Sequence, residues 1–211
     1  MGEQAGKIQT VLGLLEPADL GFTQTHEHLL VNLLPAGLRE GQEGEPITLA
    51  NVGHLRRNWL SNVHNLYLEN EAEAIEELRK FKESGGSAIV ELSVIDIARN
   101  PEGLARISKR TGVHVVMGTG FYNAGYHPPE IAESAPEKIA ELLAGEFSGG
   151  AGETTIRPGI IGEIGLDWPV HPSEERVLRA AALAQIRSGA SLNIHPGRSS
   201  EAPLDAIRIV K

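Results

Sequence analysis

Two histidines one residue apart, His26 and His28, are the side chains of this sequence whose types and spacing most directly suggest chemistry. They end a short apolar segment, and in an extended strand residues i and i+2 point to the same face. Both imidazoles would then project together, while Glu27 points the other way. Two imidazoles on one face are typical of half a transition-metal site, but two unrelated surface histidines explain the pair about equally well.

Two other strand-like segments also end in a residue that can bind a metal. The glycine-broken apolar run 158–165 carries Glu163 near its far end, and the run 191–197 carries His195 before a Pro-Gly turn. One such residue alone is usually a solvated rim residue. Three strand ends of this kind favour a shared cluster at one face of a sheet, where the carboxyl ends of parallel strands carry function.

The elements that must position these residues alternate along the chain. Apolar runs predict strands at 22–28, 87–92, 113–118, 160–161 and 192–195, and helical spacing predicts helices at 51–68, 71–84, 101–110, 136–147, 173–188 and 203–211. A hairpin is expected within 7–16 and a loop at 35–48. Buried-type strands separated by helices indicate parallel βαβ units, and therefore an α/β fold.

Composition narrows the class of protein. The 211 residues suit one domain, 1–211, and the net charge of −9 argues against a nucleic-acid partner. Cysteine is absent, so any metal site must use His, Asp, Glu and water. The sequence contains neither a signal-peptide pattern nor an apolar run long enough for a membrane span. We therefore expect a cytoplasmic protein with a small-molecule substrate and no membrane partner, and a homodimer is left open.

Several stretches together resemble one known family. They follow the family order from about residue 6 to the end and are the segments 6–13, 21–28, 95–99, 111–115, 118–122, 159–165 and 193–198. On these residues the sequence resembles the phosphotriesterase family of the amidohydrolase superfamily, in particular its phosphotriesterase-related branch. Taken together the stretches are highly specific, whereas the His-x-His pair alone is weak.

The resemblance implies a (β/α)8 TIM-type barrel with two divalent cations, expected to be zinc, at the carboxyl ends of the strands. His26 and His28 match the strand-one pair that binds the more buried metal. Glu163 matches the bridging ligand after strand four, a position where some relatives use a carboxylated lysine. His195 matches the strand-five ligand of the second metal.

The family pattern also needs a histidine after strand six and a proton-shuttling aspartate after strand eight. The sequence stops at Lys211, within what resembles the fifth helix, so that about the first five β/α units are expected. We therefore expect a C-terminally truncated form, a fragment or a short isoform, in which hydrolysis at a useful rate is not expected. A catalytically inactive form is the alternative to an enzyme.

For a complete relative, the resemblance implies hydrolysis of an amide or ester of the N-acyl amino acid or N-acetyltaurine type. Lactonase or phosphotriesterase activity is the alternative. Tyr122 could contact substrate, and Arg198 could pair with an anionic substrate group, although a packing tyrosine and a surface arginine are the simpler explanations. Glu91 ends a strand and could support a ligand. The histidines without matching partners are expected at the surface; they are His54, His64, His127 and His171.

Overall fold

Nine β-strands and seven α-helices form in residues 5–34 and 44–211, the part of the chain that the computed structural model describes. The strands are β1 (Ile8–Thr10), β2 (Gly13–Leu15), β3 (Thr23–Glu27), β4 (Val31–Asn32), β5 (Tyr67–Leu68), β6 (Ala88–Glu91), β7 (His114–Thr119), β8 (Ile160–Gly165) and β9 (Ser191–His195). The helices are α1 (Val52–Leu55), α2 (Glu71–Glu83), α3 (Pro101–Thr111), α4 (Pro129–Ala132), α5 (Pro136–Gly149), α6 (Pro172–Ser188) and α7 (Ala202–Val210).

Five of these strands form one parallel sheet in the order β3-β6-β7-β8-β9. The strands follow chain order and helices connect them, which confirms the predicted βαβ alternation. The hairpin expected within 7–16 is also present as the antiparallel pair β1 and β2. It closes the amino-terminal end of the sheet, where the Val11 amide donates to the Val115 carbonyl at 2.9 Å.

Local signals explain why the connecting helices begin and end where they do. The Asn100 side chain accepts a hydrogen bond from the Gly103 amide at the start of α3, and Pro101 occupies the first helical position. Gly112 ends the same helix with φ +66°, a left-handed conformation that glycine adopts without a steric cost. Helix α6 begins with a capping box formed by His171 and Glu174.

Among the described residues the apolar core forms three clusters, and the two larger ones lie between the sheet and its helices. One of these two joins α2 and α3 to β6 and β7, and the other joins α5 and α6 to β8 and β9. The side chains of Leu143 and Leu178 in the second cluster are fully buried. Burial of each such side chain stabilises the fold by about 1.5–3 kcal/mol. None of the helices in the described ranges combines the length and apolarity that a membrane crossing requires.

The helix predicted at 51–68 is wrong. That segment contains only the single turn α1, two 3-10 turns (Trp59–Ser61 and Val63–Asn65) and the short strand β5. Asparagine side chains explain the interruption, because they bond to nearby backbone in place of helical partners. Asn62 accepts from the His64 amide and donates to the Glu45 carbonyl. Most of the loop expected at 35–48 lies outside the described residues; 44–48 form neither helix nor strand.

The sheet is curled rather than flat. Strands β3 and β8 are separated by β6 and β7, yet side chains at their carboxyl ends are in contact across the inside of the curve. A curled parallel sheet with helices outside is the architecture of part of a (β/α)8 barrel, as expected. In the described part of the chain, β3 and β9 are the two edges of this sheet.

Candidate metal centre

Glu163 lies at the centre of the candidate site, near the carboxyl end of β8, with its side chain 2% exposed. Its position depends on the glycine before it. Gly162 has φ +118°, and a Cβ there would lie 2.3 Å from the Asn193 carbonyl oxygen of β9. The pairing of β8 with β9 shifts register between Ile161 and Ile164, around these two residues. Such an irregularity changes the direction in which a side chain points. Here the Glu163 carboxylate faces His26 on β3 and His28, which follows β3.

His26 and His28 approach this carboxylate from the far side of the curve. The Nε2 atom of His26 lies 3.2 Å from Glu163 Oε2, and the Nε2 atom of His28 lies 3.3 Å from Glu163 Oε1. One potential ligand atom from each of the three residues lies within 4.8 Å of the other two. The pairing of β3 with β6 also shifts register, between Gln24 and Glu27. Both strands that supply this cluster are therefore irregular at the residues that meet.

His195, the last residue of β9, contacts the same carboxylate. Its Nδ1 atom lies 2.9 Å from Glu163 Oε2. Glu163 therefore presents one oxygen to His28 and the other to both His26 and His195. The structure brings together all four residues that the sequence singled out as metal ligands.

The charges in this cluster depend on one another. Burial alone would raise the pKa of the Glu163 carboxyl, but hydrogen bonds from His195 and His28 and the charges of those rings outweigh it and lower the pKa to about 2. Burial acts to lower the pKa of His28, but contact with Glu163 outweighs burial and raises it. The site therefore holds an ionised carboxylate among imidazoles at neutral pH.

Tyr122 and Arg198 lie together beside the cluster, in a cleft of about 500 Å3 that His195 also lines. The Tyr122 ring packs edge-on against the His195 ring, with centroids 5.4 Å apart. Burial, together with the charge of Glu163, raises the pKa of Tyr122, so its hydroxyl stays neutral. Trp59 and Trp168 form aromatic walls of the cleft. The cleft thus offers apolar surface, a hydroxyl and a guanidinium beside the candidate ligands.

Glu174, a carboxylate whose role the sequence does not reveal, connects the segments that form the walls of this cleft. Glu174 is fully buried and accepts hydrogen bonds from the backbone amides of Ala124, Asp167 and His171. These amides belong to the segments after β7 and β8 and to the start of α6. The capping-box spacing from His171 was the only local signal, because the other two partners are distant in sequence.

His127 was expected at the surface, and this is wrong. Its ring is half-buried, with Nε2 2.8 Å from the Tyr122 carbonyl oxygen and Nδ1 3.1 Å from Ser173 Oγ. Burial lowers the pKa of His127, so its ring is neutral at pH 7. His127 therefore supports the backbone of Tyr122 from behind the cleft. Its partners become neighbours only when α6 packs beside the segment after β7.

A family model for the phosphotriesterase family matches residues 6–211. The chain belongs to the phosphotriesterase family. The N-acetyltaurine hydrolase of Homo sapiens is 44% identical over 217 aligned residues, which cover 100% of this chain and 62% of that protein. The chain thus spans less than two thirds of the length of this curated relative.

Solved structures of other proteins have the same fold. A resiniferatoxin-binding protein from Rhodobacter sphaeroides superposes with a TM-score of 0.90 and 35% identity, over 98% of this chain and 59% of that one. A phosphotriesterase homology protein from Escherichia coli, solved with phosphate in its active site, superposes with a TM-score of 0.71 and 24% identity, over 91% of this chain and 58% of that one. The second likeness shows the fold alone.

The candidate centre of this phosphotriesterase-family chain has the donor chemistry of a divalent-metal site. Imidazole nitrogens suit zinc and related ions, and a carboxylate with both oxygens facing imidazoles can be shared between two cations. The donor atoms of His26, His28 and Glu163 already converge without rearrangement of the backbone. The residues present therefore fit a divalent cation.

Proposed function

We propose that this chain carries a binuclear zinc centre for the hydrolysis of N-acyl amino acids, with N-acetyltaurine as the first substrate to test. The observation that carries the proposal is the buried Glu163 carboxylate, which faces His26, His28 and His195 at once. Support for the substrate class comes from the 44% identity to the human N-acetyltaurine hydrolase.

In this proposal His26 and His28 would hold one cation, His195 would hold the second, and Glu163 would be a ligand of both. When bound, such a pair of cations lowers the pKa of water and polarises the substrate carbonyl. The contribution of Glu163 is to fix the spacing of the three imidazoles. Its carboxylate is ionised at neutral pH, so it is ready to bind a cation without first losing a proton.

The cleft beside His195 would bind and orient the substrate. Arg198 offers a guanidinium that can pair with the carboxylate or sulfonate of an N-acyl amino acid or N-acetyltaurine. Tyr122, which is neutral and in contact with the His195 ring, can donate a hydrogen bond toward the scissile amide. The aromatic walls, Trp59 and Trp168, offer apolar surface for the acyl group.

A second candidate function is a non-catalytic form that binds metal without turnover. One observation favours it: the histidines lie on β3 or just beyond it and on β9, the two edges of the described sheet. Their side chains are 41%, 29% and 41% exposed for His26, His28 and His195. The aspartate that the family resemblance places after strand eight has no counterpart among the five described strands. The proposal names no residue that accepts the proton of the attacking water. Metal binding by this chain therefore does not imply turnover.

The test has two steps on the purified 211-residue chain. Calorimetric titration with Zn2+ is expected to show two bound ions in the wild type and at most one in Glu163→Gln. The Zn2+-loaded chain is then offered N-acetyltaurine, a γ-lactone and a phosphotriester. Fastest turnover of the N-acyl compound supports the hydrolase, and metal binding without turnover supports the non-catalytic form. If no Zn2+ binds, both candidates fail.

A further inference from the structure

We infer that Ser93 and Glu91 are positioning residues that hold the metal-bound His28 ring with its proton on Nδ1, and so present Nε2 as a metal ligand. This inference rests on the proposed function for its consequence, but not for its geometry. His28 follows β3, while Glu91 ends β6, the neighbouring strand, and Ser93 lies two residues beyond it. The three side chains form one continuous hydrogen-bonded chain that leads away from Glu163.

The direction of this chain follows from what each group can donate. Oε1 of Glu91 accepts from the Leu29 backbone amide at 3.1 Å, so that oxygen is an acceptor. The Ser93 hydroxyl donates to the same oxygen at 2.6 Å. Having used its only proton, Ser93 Oγ can only accept from His28 Nδ1, 3.0 Å away. Glu163 Oε1 is an acceptor at Nε2, 3.3 Å away, so in the metal-free ring Ser93 and Glu163 compete for one proton. When a cation takes the Nε2 lone pair, Ser93 would provide the acceptor for the proton that is then on Nδ1.

Burial separates this hydrogen-bonded chain from water. The side chains of Glu91 and Ser93 are both 0% exposed, so neither can exchange its partner for water. Oε2 of Glu91 is buried and has no hydrogen-bond partner among the described residues. A carboxyl group with an unsatisfied oxygen in a closed pocket costs stability, and such groups are retained where they serve a site. Here the other oxygen of Glu91, Oε1, accepts from Ser93, and Ser93 contacts the candidate ligand His28.

A carboxyl–hydroxyl–imidazole chain has two effects on a metal ligand. It fixes the ring orientation, and it makes the ligating nitrogen more basic. His26 has no comparable contact among the hydrogen bonds that the structure shows for the described residues, so the two histidines of the pair are not equivalent. The ring of His28, unlike that of His26, would therefore be oriented before a cation binds.

The decisive variant is Ser93→Ala, which breaks the chain at its middle without adding volume. Ser108→Ala is the matched control, because Ser108 is also buried and its hydroxyl also makes one short hydrogen bond, to the Val113 carbonyl at 2.7 Å, away from the site. Glu91→Gln is the conservative variant. Its amide oxygen can accept the same two hydrogen bonds, so the direction of the chain is retained while the charge is removed.

Two readouts are made on each folded variant. The first is the ring 15N spectrum of the Zn2+-loaded protein, which distinguishes a His28 ring with its proton on Nδ1 from one with its proton on Nε2. We expect Nδ1–H in the wild type, Ser108→Ala and Glu91→Gln, and a shift toward Nε2–H in Ser93→Ala. The second is the dissociation constant for Co2+, followed by its visible absorption. We expect it to rise about 10–100-fold in Ser93→Ala and to stay within about twofold in Ser108→Ala.

These readouts separate the two proposals. If the wild type binds no Co2+, the metal centre is wrong, and the metal-free ring 15N spectrum tests the relay by itself. A change in the His28 signals of Ser93→Ala, but not of Ser108→Ala, would show that the relay is present. If Co2+ binds but Ser93→Ala changes neither tautomer nor affinity relative to Ser108→Ala, the relay is wrong and the centre is unaffected. An Nε2–H tautomer in the Zn2+-loaded wild type also overturns the inference.

Discussion

His26 and Glu163 lie on strands separated by two others in the sheet, yet their Nε2 and Oε2 atoms are 3.2 Å apart. Adjacent strands are only about 4.8 Å apart, so a flat sheet would hold these strands about three such spacings from each other. The contact therefore exists because the sheet curls. Any change that flattens the sheet would therefore separate these candidate ligands.

The Glu163 carboxylate should make the metal-free chain sensitive to acid. Its pKa is about 2 in the folded chain, below the ordinary value of 4.5, so its stabilising contribution is complete above pH 4.5 and is lost as the pH falls toward 2. We expect the free energy of unfolding of the wild type, measured relative to Glu163→Gln, to fall by about 2–3 kcal/mol over that interval. Urea titrations with a chelator present measure it. A difference that does not change with pH would contradict the prediction.

Much of this site could be predicted from the sequence because its ligands end apolar runs. His26, Glu163 and His195 each lie at the carboxyl end of a strand-like segment, and strand ends of a parallel sheet meet. The helices α2, α3, α5 and α6 were predicted for a similar reason, since their apolar spacing and caps are local signals. In these segments the apolar spacing and the capping residues favour the same elements.

The remainder depends on contacts between residues distant in sequence. Ser93 lies within an apolar run, so the sequence does not distinguish it from a core residue. Its contact with His28 forms only because β3 pairs with β6. Glu174 looks like an ordinary first-turn glutamate, and two of its three partners lie 7 and 50 residues away. The segment 51–68 has helical spacing but forms no long helix, because asparagine side chains compete for its backbone. No local pattern reveals such competition.

Gly162→Ala should displace Glu163 and weaken metal binding. The backbone at Gly162 has φ +118°, and an added Cβ would meet the Asn193 carbonyl at 2.3 Å, so both conformation and space oppose a side chain. We expect Zn2+ affinity to fall at least tenfold, with destabilisation of about 1–3 kcal/mol. Calorimetry and urea unfolding measure the two effects.

Gly145→Ala is the control for this substitution. Gly145 lies within α5, and a Cβ there meets nothing within 4 Å. The change should stabilise the chain by about 0.5–1 kcal/mol and leave Zn2+ affinity unchanged. If both alanine variants bind Zn2+ like the wild type, the close approach at Gly162 does not position Glu163.

The buried ion pair between Arg99 and Glu146 should be the most sensitive polar contact in the scaffold. The guanidinium and carboxylate form two hydrogen bonds of 2.7 Å, and the Thr119 hydroxyl donates to the same carboxylate. Their side chains are only 5% and 10% exposed. Glu146→Ala leaves a buried guanidinium without its anion, so we expect a loss of about 3–5 kcal/mol in the free energy of unfolding.

A double variant distinguishes the cost of an orphaned charge from the value of the pair. Replacing both residues, Arg99→Met with Glu146→Leu, removes both charges and should cost much less than Glu146→Ala. Urea unfolding of Glu146→Ala and of the double variant measures the two losses. Equal losses for the two would mean that packing, and not the unpaired charge, accounts for the effect.

Glu91 should have the opposite pH dependence from Glu163. Burial raises the pKa of Glu91 to about 7, against the hydrogen bond from Ser93, which lowers it. Because the folded pKa lies above the ordinary value of 4.5, this group costs no stability below pH 4.5, and its cost grows as the pH rises to about 7. Glu91→Gln removes that cost, so with chelator present the variant should gain about 3 kcal/mol on the wild type between pH 4.5 and 8. A gain at acid pH instead would show that the sign is wrong.

Arg198 should matter for anionic compounds and little for neutral ones. It lines the cleft beside His195, where a guanidinium can pair with a sulfonate or carboxylate through two hydrogen bonds. We expect Arg198→Ala to raise the dissociation constant of N-acetyltaurine about tenfold or more on the Zn2+-loaded chain, and to leave that of a neutral lactone within about twofold. Arg187→Ala is the control, because this exposed arginine lies at the end of α6, outside the cleft. Ligand-observed NMR measures both constants without requiring turnover, so a non-catalytic form is tested equally well. Equal weakening of both compounds would mean that Arg198 shapes the cleft and does not pair with the anion.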